Sequence, residues 1–334
     1  MKIIFMGTPE FAVPVLEEIN KYFEVVLVVT QPDSKIRKKI VYSEVKMKAL
    51  ELGLPVFQPL NINKEKDYIL NTECDLIVTA AYGQFLGKAI LNHPKIAAIN
   101  CHGSLLPKYR GGAPIQRAIM NGEKEIGVSI IYMTSKMDAG NILAKKGISL
   151  PLEWGEKEAF DALSNLGAKL IVEVIENLKI EKIIGEAQKE EEVTFAPIIS
   201  NEDELISFEK GAYKVYNKIR AINYSKGAYF NFKAEVYKVY QAKLYLNKKG
   251  NPGEIIEITK DEIIIACKEG AIGLLLIKRQ GKNTTPVRDF LNGKGKEIFK
   301  LGEIIGGERW KRKRLFILVK KCLKWTKRSL KKEE

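Results

Sequence analysis

Only two histidines, His93 and His102, occur in 334 residues, too few for a histidine-built metal centre. The four cysteines, Cys74, Cys101, Cys267 and Cys322, are scattered without paired spacing. That pattern fits reduced cytosolic thiols better than a disulfide scaffold or a zinc site. No stretch approaches the roughly 18 consecutive apolar residues of a membrane span. The apolar start, Met1 to Met6, is too short for a secretory signal, so a cytoplasmic location is expected. There is no low-complexity segment and no internal repeat. Gly7-Thr8-Pro9-Glu10 follows the first apolar run without completing a G-x-G-x-x-G pattern, so a dinucleotide is not indicated. A G-x-S-x-G elbow is also absent, which removes the common serine-hydrolase reading.

What is present is a globular composition, 46% hydrophobic and 29% charged, with a net charge of +14. The charge is unevenly placed. Residues 1–200 hold 24 Lys and Arg against 25 Asp and Glu, whereas residues 201–334 hold 31 against 16. Residues 309–334 alone hold 12 against 2. Such asymmetry suits a polyanionic partner for the C-terminal part, with a solvated charge run as the plainer alternative.

Buried strands are expected at Lys2 to Met6, Glu24 to Thr30, Asp75 to Ala80 and Ile96 to Asn100. Helical spacing falls between them, at Phe11 to Asn20 (with Thr8 as N-cap), Val45 to Leu52, Lys64 to Asn71 and Phe85 to Leu91. This alternation predicts a doubly wound, mostly parallel α/β sheet. Ser34 to Tyr42 carries Lys35, Arg37, Lys38 and Lys39 without a clear period and reads as an exposed basic loop, suited to phosphate contact or simply solvated. A helix at Pro114 to Asn121, strands at Gly127 to Tyr132 and Ile142 to Leu150, and a long helix at Glu156 to Leu178 complete a first domain, 1–190. A linker spans 191–206. Beyond it, a helix at Tyr213 to Ile222 and five short strands with turn signals suggest a small closed β-barrel in 207–308. Residues 309–334 are expected to form a basic amphipathic helix, with Leu315, Leu318, Val319 and Cys322 on one face. Docking on the protein, RNA contact and an anionic membrane surface would each suit it.

The chemistry concentrates at 99–116. Asn100 and His102 are two apart on a strand, so an amide and an imidazole face the same side. Ligands of doubly wound sheets bind beyond the carboxyl ends of the strands. Asp138, in the tight turn Asp138-Ala139-Gly140, joins them if both strand ends open on one cleft. A carboxylate orients an imidazole, and an amide N–H stabilises an oxyanion. The trio suits acyl transfer to a nucleophile carried by the substrate, with a satisfied strand-end histidine as the structural alternative. His93, beside Pro94, reads as incidental.

Asn100-Cys101-His102-Gly103-Ser104-Leu105-Leu106-Pro107, then Tyr109-Arg110-Gly111, with Asp138-Ala139-Gly140 downstream, resembles the formyltransferases that use 10-formyltetrahydrofolate. Gly7-Thr8-Pro9-Glu10-Phe11-Ala12, Thr30-Gln31-Pro32-Asp33, Gly112-Ala113-Pro114-Ile115-Gln116-Arg117 and Val287-Arg288-Asp289-Phe290-Leu291-Asn292-Gly293 narrow the resemblance to the methionyl-tRNA formyltransferase family. It covers about residues 1–308. The resemblance implies a Rossmann-like catalytic domain and a C-terminal barrel like an OB fold. It also implies catalytic roles for Asn100, His102 and Asp138, and folate contacts at Ser104, Leu105, Leu106 and Pro107, with Tyr82 and Gly83 near the pteridine. The co-substrate would be 10-formyltetrahydrofolate, without a metal. The partner would be initiator Met-tRNA, touched by Arg37, Lys38 and Lys39; the protein is expected to be a monomer with no obligate protein partner. A formyltransferase for a sugar amine and an RNA-binding protein with a degenerate catalytic domain are the competing readings. The chain departs from the family pattern in three places. The 34–42 loop is shorter and lacks a Gly-Arg-Gly segment, Asn223-Tyr224-Ser225-Lys226-Gly227-Ala228 replaces a Pro- and Trp-containing segment, and the 309–334 tail has no counterpart.

Overall fold

The computed structural model describes residues 1–36 and 39–306. The expected basic helix at 309–334 lies outside the described residues. The chain divides into two compact units, Met1–Ile199 and one that begins at Ser200.

The first unit runs β1 (Lys2–Gly7), α1 (Val13–Tyr22), β2 (Glu24–Val29), β3 (Ser34–Ile36), β4 (Lys39–Val41), α2 (Glu44–Glu51), β5 (Val56–Phe57), α3 (Asp67–Leu70), β6 (Leu76–Ala80), α4 (Lys88–Leu91), β7 (Ala97–His102), α5 (Pro114–Asn121), β8 (Glu125–Tyr132), β9 (Ile142–Ser149) and α6 (Glu156–Ile180). Seven of these strands form one sheet in the order β5-β2-β1-β6-β7-β8-β9. The pairings β2–β5, β1–β2, β1–β6 and β6–β7 are parallel, while β8 and β9 join antiparallel. The strand order reverses between β1 and β6, the switch point at which such sheets leave a crevice.

Side-chain alternation assigns the two faces. Ile4 and Met6 of β1, Leu27 and Val29 of β2, Ile77 of β6 and Ala98 of β7 pack with Ile62, Ile69, Tyr82, Leu86 and Ile90. Helices α1 and α6 pack against one another, and α6 also covers β7, β8 and β9. It comes close at Gly167, where an added Cβ would stand 2.7 Å from Cys101 Sγ. Cys101 therefore faces α6, and its neighbours Asn100 and His102 face the other way.

Several local expectations change. Thr8 is not a helix cap. Its hydroxyl donates to Tyr82 O at 2.9 Å and accepts the Gln31 N–H at 3.3 Å, which ties the ends of β1, β2 and β6 together. The helix expected at Phe11 instead starts as a 3-10 turn, Glu10–Ala12, before α1. The expected helices at 64–71 and 85–91 are only one turn each. Asn61 Oδ1 takes the Asn63 and Lys64 N–H groups, and the Asn63 side chain bonds Phe85 O and Gly87 N–H. Such side-chain bonds compete with helix formation. The basic segment after β2 is a small antiparallel ladder, β3 with β4, rather than an open loop.

The second unit holds α7 (Asn201–Glu204), α8 (Ala212–Ala221), β10 (Ala228–Phe232), β11 (Glu235–Tyr245), β12 (Ile255–Ile258), β13 (Ile263–Ala266), β14 (Ala271–Arg279), β15 (Thr284–Pro286) and α9 (Val287–Phe290). Its antiparallel sheet follows the order β10-β11-β14-β13-β12, with β15 added beside β14. The sixth strand was not expected. Ladders among the described residues leave β10 and β12 at opposite ends, so they do not by themselves close the expected barrel. Phe230, Tyr237 and Phe299 form the aromatic core. No helix of the described residues is long and apolar enough to cross a membrane.

The Gly167 contact is testable. Gly167→Ala should lower stability by about 1–3 kcal/mol, the usual cost of overpacking a core. Denaturant unfolding would measure it, and Cys101→Ala in the same chain should recover most of the loss. An unchanged midpoint in Gly167→Ala would refute the contact.

Candidate active site

The carboxyl ends of β1, β6 and β7 open on a cavity of about 900 Å³. Its lining is mostly apolar, with Tyr82, Phe85, Leu86, Ile131 and Met133 among its walls. Asn100, His102 and Asp138 all border it, so the structure brings the three sequence candidates together. Such a mainly apolar cleft with a few converging polar groups is the usual form of a small-molecule site.

Each polar group is held by the fold. Asn100 is paired with Thr79 across β6 and β7. The Thr79 hydroxyl donates to Asn100 Oδ1 at 2.7 Å, which leaves the amide Nδ2 for the cavity. His102 is buried, and its Nε2 lies 2.9 Å from Tyr109 O. A carbonyl only accepts, so Nε2 carries a hydrogen and the neutral ring's lone pair is on Nδ1. Nδ1 faces Asp138 Oδ2 at 3.6 Å, longer than a hydrogen bond but within ion-pair range.

Asp138 is anchored by backbone geometry that few residues accept. It has a φ of +50°, a left-handed conformation that aspartate tolerates better than bulkier residues. Its Oδ2 accepts the Gly111 N–H at 2.9 Å. Gly111 itself has a φ of +126°, and a Cβ there would lie 2.7 Å from Ala196 O. Two residues after Asp138, Gly140 presses on β8 so closely that a Cβ would overlap Tyr132 O. Gln188 closes the turn, donating from Nε2 to both Asp138 O and Gly140 O at 2.8 Å. Buried Arg110 holds Gln188 in turn, through Nε to Oε1 at 3.0 Å, and pairs with Glu190 at 3.1 Å. Sequence reasoning missed Gln188 and Thr79, because nothing in their local spacing marks them. Arg110 and Gly111 stood in the quoted motif without a role.

The predicted folate residues separate into two groups. Tyr82 and Gly83 line the cavity. Ser104, Leu105, Leu106 and Pro107 are held just outside its lining, directly after Gly103, which belongs to it. The reason is Ser129 on β8, opposite His102. Its hydroxyl donates to Ser104 O at 2.7 Å and accepts the Leu106 N–H at 3.0 Å, drawing the loop toward β8. Leu106 then packs with Ile131 and Ile142, while Ser104 and Leu105 border a separate cavity of about 110 Å³. His93 bonds Thr72 O at 2.8 Å and does not line the large cavity. Lys39 is exposed on β4. Arg37 and Lys38 lie outside the described residues. Among the described residues, no group of three His, Cys, Asp or Glu side chains is arranged to hold a metal ion.

Known proteins match this chain along most of its length. Residues 1–175 match the family described as "Formyl transferase", and residues 198–295 match "Formyl transferase, C-terminal domain". A methionyl-tRNA formyltransferase of Staphylococcus epidermidis is 44% identical over 297 residues, covering 87% of this chain and 96% of the relative. One of Streptococcus uberis is 40% identical over 311 residues, covering 91% and 99%. Among solved structures, HypX from Aquifex aeolicus in complex with tetrahydrofolic acid matches with a TM-score of 0.62 at 16% identity. The match covers 92% of this chain and 51% of HypX, so the chain spans about half of that protein, and the likeness is one of fold.

Cys101, between the two strand-borne candidates, is set apart by burial, which pushes its thiol up to about 12. Burial also pushes Cys267 up to about 12 and Cys74 up to about 11. A raised thiol stays protonated across the neutral range, and the thiol is a poor nucleophile compared with the thiolate. Iodoacetamide at pH 8 should therefore leave Cys74, Cys101 and Cys267 unmodified in the native protein and label them in denaturant. Peptide mass mapping reads the result; rapid native labelling of Cys101 would contradict it.

Proposed function

Because the chain belongs to the methionyl-tRNA formyltransferase family, we propose that the cavity beside Asn100, His102 and Asp138 carries out its reaction. The enzyme transfers a formyl group from a folate donor, 10-formyltetrahydrofolate, to the α-amine of methionine on initiator Met-tRNA. The observation that carries the site assignment is the convergence of an amide, an imidazole and a carboxylate on one wall of a cavity at the switch point.

The residues divide the work as follows. Tyr82, Gly83, Phe85, Leu86 and Met133 border the part suited to a flat ring system. Asn100 Nδ2 donates to the formyl oxygen, where negative charge grows as the amine attacks. The amine nitrogen bonds the formyl carbon, and the bond from that carbon to N10 of the folate breaks. His102 Nδ1 takes the proton that the amine loses and returns one to the departing N10. Asp138, its Oδ2 held by Gly111, stabilises the imidazolium that this creates and keeps the ring oriented. Ser104 to Pro107, the expected folate contacts, also fix the loop that carries Tyr109 O to His102.

The tRNA reading rests on family membership and on the excess of basic residues after position 200. Lys39, with Arg37 and Lys38, supplies positive charge from the first unit. The 309–334 segment adds phosphate contact, in keeping with its 12 basic and 2 acidic residues.

Incubating the protein with 10-formyltetrahydrofolate and charged initiator tRNA should yield formyl-methionine. His102→Ala and Asp138→Ala should each lower kcat at least about 100-fold while folate affinity changes little. Near-parent rates in both variants would sink the site assignment. Deleting residues 310–334 should weaken tRNA binding and flatten its dependence on salt concentration. Equal affinity and an equal salt slope in the two proteins would remove the tail's role.

A further inference from the structure

Thr79 on β6 stands opposite Asn100 on β7, and both border the large cavity. Thr79 is buried, and its hydroxyl has one hydrogen to give. Three acceptors surround it: Asn100 Oδ1 at 2.7 Å, Met133 Sδ at 3.3 Å and Ile99 O at 3.4 Å. Only the first is at the normal length for O–H···O, and a thioether is a weak acceptor. With Oδ1 on its side the hydroxyl gives its hydrogen to Asn100 Oδ1, whereas an amide donating Nδ2–H to Oγ1 would leave that hydrogen only the longer contacts to Ile99 O and Met133 Sδ.

That choice decides the polarity of the site. The two ends of a carboxamide have nearly the same shape, but one donates and the other accepts. Flipped, Asn100 would turn Oδ1 toward the formyl oxygen, acceptor against acceptor. Thr79 is β-branched and sits on a central strand, so few χ1 rotamers are open to it. Its hydroxyl is aimed before any substrate arrives.

We infer that Thr79 is a positioning residue for formyl transfer, whose hydroxyl selects the orientation of the Asn100 amide that presents Nδ2 to the formyl oxygen. This rests on Asn100 acting as the donor. Thr79→Val keeps the shape and removes the hydroxyl. It should lower kcat about five- to tenfold, the worth of one ordinary hydrogen bond, with KM for both substrates nearly unchanged. Thr79→Ser, which restores the hydroxyl, should recover most of the rate.

The decisive comparison adds Asn100→Ala. With the amide gone, Thr79→Val should slow the enzyme by less than about twofold more, because the two residues act as one unit. Losses that multiply in the double variant would show a merely structural role and overturn the proposal. So would a parent-like rate in Thr79→Val beside a slow Asn100→Ala. A parent-like rate in Asn100→Ala would instead remove the donor role itself, and the proposal with it.

Discussion

The bond from Gly111 N–H to Asp138 Oδ2 joins the segment after β7 directly to the turn before β9. Gly111 follows the loop after β7, and Asp138 stands in the turn before β9. The bond places a carboxylate 3.6 Å from His102 Nδ1. Both of its ends adopt backbone conformations that L side chains rarely enter, at φ +126° and +50°. The surrounding structure sustains them. Gly140 lies against β8 with no room for a side chain, and Gln188 bonds both Asp138 O and Gly140 O.

The same logic runs through the strand ends. Thr8 and Gln31 both bond Tyr82 O, so the loop that borders the cavity is fixed to β1 and β2. Thr79 orients Asn100, Tyr109 O orients His102, and Ser129 holds the intervening loop against β8. Asn100 and His102 thus each have a partner behind them. In a pocket with apolar walls, preorganised donors need not reorient when charge develops.

Period-2 alternation on a short strand was enough to place Asn100 and His102 on one face, and the alternation of strand and helix was enough to foresee the doubly wound sheet. Helix α5 and strand β10 fall at the expected bounds because each starts and stops on strong local signals. The rest depended on contacts far apart in sequence. Thr8 read as a helix cap because nothing near it reveals Tyr82. Gln188 and Arg110 are 78 residues apart, and only the folded chain makes them one brace. The course of Ser104 to Pro107 was not legible either, because Ser129, which holds them, lies on a strand that arrives later. β15 is three residues long and contains Pro286, too short for periodicity to register.

The central claim is that Asn100, His102 and Asp138 act on the transferred group as one constellation. Single-turnover formylation of initiator Met-tRNA by a chain with all three replaced by alanine tests it most directly. The account predicts that the triple variant is about as slow as the slowest single variant, as groups that act together are strongly non-additive. Three losses that multiply, or a triple variant that keeps the parent rate, would contradict it.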